Sequence, residues 1–269
     1  MKIGLAQLDV TAAAPAENRE RALDAIDRAA ERGADLVALP ELWNVGFFAF
    51  DAYEELAEPL DGPSLSAVRQ RAAERNVGLV AGSVVEDLEA TAGGPADAGL
   101  ANTTVFFDRD GDSIATYRKR HLFGYESRES ELLVPGESPG TAEFEGFTVG
   151  LTTCYDLRFP ELYRSLLDAG VTLVVVPSAW PYPRVEHWKT LASARAIENL
   201  FYVATVNGAA TFEDATLLGR STVYDPWGTV LSSSGDEPTL VFADVDPDRV
   251  ANIRGEFPAL EDRRGRTGL

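Results

Sequence analysis

Gly33-Ala34-Asp35-Leu36-Val37-Ala38-Leu39-Pro40 is echoed by Gly170-Val171-Thr172-Leu173-Val174-Val175-Val176-Pro177. Each phrase is a glycine stop, a short apolar run and a proline, the pattern of a fully buried strand that follows a helix. The echo continues outward, with Leu42-Trp43 set against Ala179-Trp180 and Ile3-Gly4-Leu5 against Val149-Gly150-Leu151. Downstream, Thr104-Val105-Phe106-Phe107-Asp108 with Gly111 is matched by Thr222-Val223-Tyr224-Asp225 with Gly228, each reading as a hairpin. Helical periodicity fills the gaps. Ala22, Leu23, Ile26, Ala29 and Ala30 share one face over residues 17–32, and further helices are expected at 64–74 and 187–199. Residues 90–99, rich in Gly, Ala and Pro, read as a surface loop.

The order strand–helix–strand–helix–strand–hairpin thus occurs twice. Each copy builds a sheet covered by helices on one face, and two such sheets bury their bare faces best against each other. The expected fold is α/β, a four-layer α-β-β-α sandwich with an internal pseudo-twofold. It is read as one domain over residues 1–269, with 255–269 as a polar tail fit for a subunit-contact arm. The site is expected where the strand-to-helix turns gather.

Composition narrows the function. A net charge of −19 argues against nucleic acid, whose partners concentrate Lys and Arg. The longest apolar run, residues 171–177, is too short to span a bilayer, and the chain carries no basic-then-apolar leader, so a cytoplasmic address is expected. One cysteine excludes an internal disulfide, and with only two histidines beside it no zinc site is expected. Lys2, Lys119 and Lys189 are the only lysines; every other basic residue is arginine. An acidic, lysine-poor surface suits a salt-rich cytosol. Few isoleucines also fit GC-rich coding, which depletes lysine in the same way.

The lone cysteine lies in Val149-Gly150-Leu151-Thr152-Thr153-Cys154-Tyr155-Asp156-Leu157-Arg158-Phe159-Pro160-Glu161, at a strand-to-helix turn where a thiol is lifted from the sheet. A nucleophile needs a base and an oxyanion partner. His121 and His187 are candidate bases, but neither has an Asn or Asp context. Glu41 is the alternative: an acid at the end of a buried strand, where the repeat puts Ser178. Lys119, in a chain that avoids lysine, suits an oxyanion better than a rigid arginine fork.

At these residues the chain resembles the nitrilase, or carbon–nitrogen hydrolase, superfamily. The motifs stand in order as Leu39-Pro40-Glu41, Tyr117-Arg118-Lys119-Arg120-His121-Leu122-Phe123 and Cys154-Tyr155-Asp156-Leu157-Arg158-Phe159-Pro160-Glu161, with Arg195-Ala196-Ile197-Glu198-Asn199 and Gly219-Arg220-Ser221-Thr222 beyond. The resemblance implies an αββα fold and a catalytic set of Glu41 as base, Lys119 as oxyanion stabiliser and Cys154 as nucleophile. It maps a second glutamate to Glu129, with Glu126 and Glu131 close by. It implies amide hydrolysis through a thioester with no cofactor and no metal. The backbone N–H of Tyr155 is an expected oxyanion donor.

The cysteine phrase is similar to the branch of ω-amidases and deaminated-glutathione amidases, whose substrates carry a carboxylate. Arg158 is the candidate cation for it, or else an ion-pair partner of Asp156 or Glu161. Trp180, with Tyr182 and the aromatics Trp43, Phe47, Phe48 and Phe50, is expected to wall the site, to fill core or to form a subunit contact. The family habit implies a homodimer or an assembly of dimers. The rival readings are an N-carbamoyl amine or amino-acid hydrolase and a non-catalytic member of the fold.

Overall fold

The repeated apolar phrases become the third strand of each of two six-stranded sheets. The computed structural model describes the chain except for residues 92–95, 97, 126, 214 and 265–269. The first half runs β1 (Lys2–Gln7), α1 (Pro15–Glu31), β2 (Leu36–Ala38), α2 (Tyr53–Leu56), α3 (Pro63–Glu74), β3 (Gly78–Asp87), β4 (Leu100–Phe107) and β5 (Ser113–Arg118). A short helix, α4 (Glu129–Leu132), leads to β6 (Gly140–Phe144), β7 (Phe147–Leu151), α5 (Pro160–Asp168), β8 (Leu173–Ser178), α6 (Val185–Asn199) and β9 (Tyr202–Asn207). The chain closes with β10 (Thr222–Tyr224), β11 (Val230–Ser233), β12 (Thr239–Asp244) and α7 (Pro247–Glu256).

The strand orders are β12-β1-β2-β3-β4-β5 and β6-β7-β8-β9-β10-β11. Position by position the two sheets match, parallel at the centre and antiparallel at both flanks. Two strands, β12 and β6, extend the expected repeat. Each adds antiparallel to the first strand of its half, Lys2 opposite Asp244 and Gly140 opposite Leu151. Helices α1 and α3 cover the outer face of the first sheet through Ala22, Ala25, Ile26, Ala29, Leu65, Val68 and Ala72, whose spacing makes one buried stripe. In the second sheet α5 and α6 do the same through Leu162, Leu166, Trp188, Ala192 and Ala196. The inner faces meet directly. Ile3, Leu5, Leu36 and Val80 pack with Val149, Leu173, Val175 and Ala204 into one inter-sheet core. The four-layer sandwich is the architecture that the repeat predicts.

The helix starts follow local rules, with Pro15, Pro63 and Pro160 each in the first turn, where the missing N–H is not needed. The C-terminal segment corrects one expectation. Gly255 and Glu256 form the end of α7 rather than the start of a tail. Beyond them Leu260 packs against the second helical layer and Arg263 pairs with Asp168, while 265–269 lie outside the described residues. Part of the expected 90–99 loop lies outside them as well.

Candidate active site

The pseudo-twofold brings the corner after β2 against the corner after β8. Glu41 N–H donates to the Ser178 carbonyl at 3.3 Å, and Ala179 N–H donates to Glu41 Oε2 at 2.8 Å. Position 41 is fixed from below by a bulge in β3, where pairing with β4 shifts between Val80 and Ser83. Leu42 N–H donates to Ser83 Oγ at 2.9 Å, and the Trp43 indole donates to the Ala81 carbonyl at 2.8 Å. Gly82 makes this closeness possible. It sits at φ +54°, and a Cβ there would lie 2.1 Å from the Pro40 carbonyl oxygen. Gly82→Ala is therefore expected to cost about 2–4 kcal/mol, from left-handed strain plus overpacking. It should also lower activity by moving Glu41. Denaturant titration beside an activity assay checks both, and unchanged stability would contradict the account.

Lys119 follows β5, Glu129 opens α4, and both turn inward. The Lys119 ammonium donates to Glu41 Oε1 at 2.7 Å and to Glu129 Oε1 and Oε2 at 2.8 and 2.9 Å. Asn102 on β4 donates through Nδ2 to the same two Oε1 atoms, at 2.8 and 3.0 Å. Phe123 N–H completes Glu129 at 2.7 Å. All three charged groups are dry: Glu41 is 2% exposed, Lys119 1% and Glu129 0%. Burial opposes the Lys119 ammonium, yet Glu129 and Glu41 outweigh it and hold the group charged well above the ordinary lysine range. Burial and the neighbouring Glu41 raise the Glu129 carboxyl, against the pull of Lys119. Two carboxylates around one ammonium leave a net negative cluster able to take up one more proton.

Cys154 begins a 3-10 turn, Cys154–Arg158, directly after β7. Its own φ is +46°, an uncommon conformation for a residue with a side chain, of the kind held at functional turns. Asp156 organises the turn, accepting from Thr153 N–H at 2.9 Å, the Tyr117 hydroxyl at 2.6 Å and His121 Nδ1 at 2.6 Å. Buried Arg195 braces it from α6, donating twice to the Leu157 carbonyl at 3.0 and 2.8 Å. Burial raises the Cys154 thiol well above the usual range, and Glu41 raises it further; Lys119 and the Ala179 N–H work the other way. The thiol is thus protonated at neutral pH, and its activation requires a base beside it.

Cys154 and Lys119 line a pocket of about 260 Å³ together with Phe47, Phe48, Phe123, Tyr155, Arg158, Trp180 and Arg184. Glu41, Lys119, Glu129 and Cys154 are brought together here, with Tyr155, Arg158 and Trp180 on the wall. Of the nearby glutamates, Glu131 is exposed and Glu126 lies outside the described residues. Trp43 and Phe50 fall elsewhere: Trp43 is fully buried in the first core, and Phe50 packs edge-on against Phe47 and Tyr53. The histidines serve other contacts, His121 with Asp156 and stacked on Phe159, His187 accepting from Arg158 at 3.2 Å. Arg158 makes no ion pair with Asp156 or Glu161 among the described residues; its guanidinium lies over Trp180 and Tyr155, 4.9 and 5.6 Å from the ring centres. Trp180 is clamped by Asn207, which accepts its N–H at 2.7 Å and donates to its carbonyl at 3.1 Å. Asn102, buried behind the cluster, and Arg184, on the pocket wall, escape the sequence reading. Asn102 has a faint signal as an amide inside a strand; Arg184 has none.

The profile of the family Carbon-nitrogen hydrolase matches residues 2–255. A 2-oxoglutaramate amidase of Bacillus subtilis (strain 168) is 34% identical over 262 residues, covering 97% of each chain. Among solved structures, a CN-hydrolase superfamily protein from Xanthomonas campestris, with an arsenic adduct in its active site, superposes with a TM-score of 0.89. It is 30% identical, over 98% of this chain and 97% of that one. A mutant amidase of Nesterenkonia sp. AN1 superposes with a TM-score of 0.84 at 30% identity, over 98% and 94% of the two chains. That structure shows covalent addition of the acetamide moiety of fluoroacetamide at the active site cysteine.

Proposed function

The chain belongs to the carbon–nitrogen hydrolase family, and on that premise we propose that it hydrolyses a small ω-amide bearing a carboxylate, through a thioester on Cys154. It is an amidase. The observation that carries the residue assignment is the buried set of Glu41, Lys119 and Glu129 beside a thiol that burial keeps protonated.

Glu41 takes the thiol proton as the Cys154 sulfur attacks the carboxamide carbon. The net negative cluster becomes neutral as the thiolate forms, so the charge moves rather than being created in a dry site. The tetrahedral oxyanion is held by the Lys119 ammonium and the Tyr155 N–H, donors of a kind worth about 3–4 kcal/mol each. The C–N bond then breaks, Glu41 returns its proton to the leaving nitrogen, and ammonia departs. Water enters, gives its proton to Glu41 and attacks the thioester. Collapse breaks the C–S bond and the sulfur recovers the proton. Glu129 orients Lys119 and, with Asn102, fixes the Glu41 carboxylate.

Arg158 supports the carboxylate-bearing substrate, since it faces the pocket without an ion-pair partner among the described residues. The relative's name, 2-oxoglutaramate amidase, points to the same chemistry. The acidic, lysine-poor composition supports action in a salt-rich cytoplasm, and family habit supports a homodimer. No helix among the described residues is long and apolar enough to cross a membrane. Ammonia release across 2-oxoglutaramate, 2-oxosuccinamate, deaminated glutathione, carbamoyl-β-alanine and simple nitriles, in low and molar salt, tests the reading. The ω-amides should be the best substrates, with activity sustained in molar salt. Preferential turnover of carbamoyl-β-alanine, with carbon dioxide released beside ammonia, would replace it by the N-carbamoyl hydrolase reading.

A further inference from the structure

Arg184 stands at the N-terminal boundary of α6 and lines the same pocket as Cys154. Its guanidinium lies over the Phe123 ring, 5.7 Å from the centre, and makes no ion pair or side-chain hydrogen bond among the described residues. Its backbone is tied down: the Trp180 indole donates to the Arg184 carbonyl at 3.2 Å, and Trp188 N–H donates there at 3.1 Å. The same Trp180 ring carries Arg158 on its face. One buried tryptophan therefore carries the Arg158 guanidinium on its face and anchors the Arg184 backbone through its indole N–H, and neither half-buried guanidinium is neutralised by a carboxylate among the described residues.

The charge count of the pocket points the same way. Glu41 and Glu129 bring two negative charges, and Lys119, Arg158 and Arg184 bring three positive ones. One unit of positive charge is left over, which a singly charged anion completes. Lys119 is already satisfied by both glutamates, so the excess resides on the two arginines.

We propose that Arg184 is a specificity-determining residue that grips the substrate carboxylate jointly with Arg158, one guanidinium to each face of a single carboxylate group. The inference rests on the ω-amide reading above and adds to it a second cation and a charge limit of one. Planar guanidinium forks supported on aromatic faces are suited to carboxylates, and a field of local positive charge offsets the repulsion that an acidic protein exerts on an anionic substrate.

The test compares glutaramate with valeramide, amides of the same length with and without the carboxylate. The native enzyme should prefer glutaramate in kcat/KM. Arg184→Gln should reduce that preference about tenfold or more, chiefly through KM, the scale of a charge-assisted hydrogen bond. Arg184→Lys should restore part of it. Because both arginines serve one carboxylate, Arg158→Gln combined with Arg184→Gln should lose less preference than the product of the single losses. An unchanged preference in Arg184→Gln, or a double variant whose loss equals that product, would overturn the joint grip. A native enzyme that prefers valeramide would overturn the carboxylate-bearing substrate itself, and the grip with it.

Discussion

Replacing Lys119 by methionine should lower kcat/KM by at least about 10³-fold and destabilise the fold by roughly 3–5 kcal/mol at neutral pH. The two losses have separate causes. The first is the missing oxyanion donor. The second arises because Glu41 and Glu129, both dry and both bonded to Lys119, are left facing each other without a countercharge. The pH dependence has a definite sign. Removing the ammonium raises the folded-state carboxyl pKa further, so the folded chain binds more protons than the unfolded one above the ordinary carboxylate range of about 4.3. Stability of the variant should therefore fall as pH rises, and its deficit against the native protein should widen between about pH 5 and pH 8. Chemical denaturation at several pH values reads this directly. Adding Glu129→Gln to Lys119→Met should recover much of the stability and none of the activity. Recovery of activity by the double variant would remove Lys119 from the oxyanion.

Cys154→Ala should abolish ammonia release, by at least about 10⁴-fold, while leaving the protein folded. The side chain removed is small, and the turn that carries it is held by Asp156, Arg195 and the Thr153 cap. The native enzyme, quenched during turnover, should carry a mass increment equal to the acyl group, and the alanine variant should carry none. Residual ammonia release from Cys154→Ala would exclude the thioester path outright.

The fold was legible because the buried strands are written twice. Leu36-Val37-Ala38 and Leu173-Val174-Val175 can be compared with each other inside one chain, so register and order come from the comparison rather than from propensity alone. Strands β6 and β12 were not legible in this way. Both are edge strands outside the repeated phrases: β6 is of mixed polarity, and although β12 holds the apolar run Leu240–Ala243, no echo marks its place, so their positions beside β7 and β1 are settled by pairing. The site divided along the same line. Cys154, Glu41 and Lys119 stood out because each is chemically out of place: a lone thiol at a turn, an acid at the end of a buried strand, a lysine among arginines. Glu129 carries no such mark among its neighbouring glutamates, and its burial is decided by the fold of α4. Asn102 and Arg184 act through where they point, which no local pattern records.

The pairing of β1 with β12 also governs how the chain can be made. The second sheet uses an uninterrupted stretch, residues 140–233, and can assemble as that stretch leaves the ribosome. The first sheet joins Lys2 to Asp244 and the Met1 nitrogen to the Val245 carbonyl, so its flank stays open until β12 has been synthesised. Closure over such a sequence distance is slow. Ile3 and Leu5, which end in the inter-sheet core, can be covered by the second sheet once that has formed, but the edge of the strand that carries them stays unpaired until β12 follows. Strand β1 is thus made long before the strand that seals its edge.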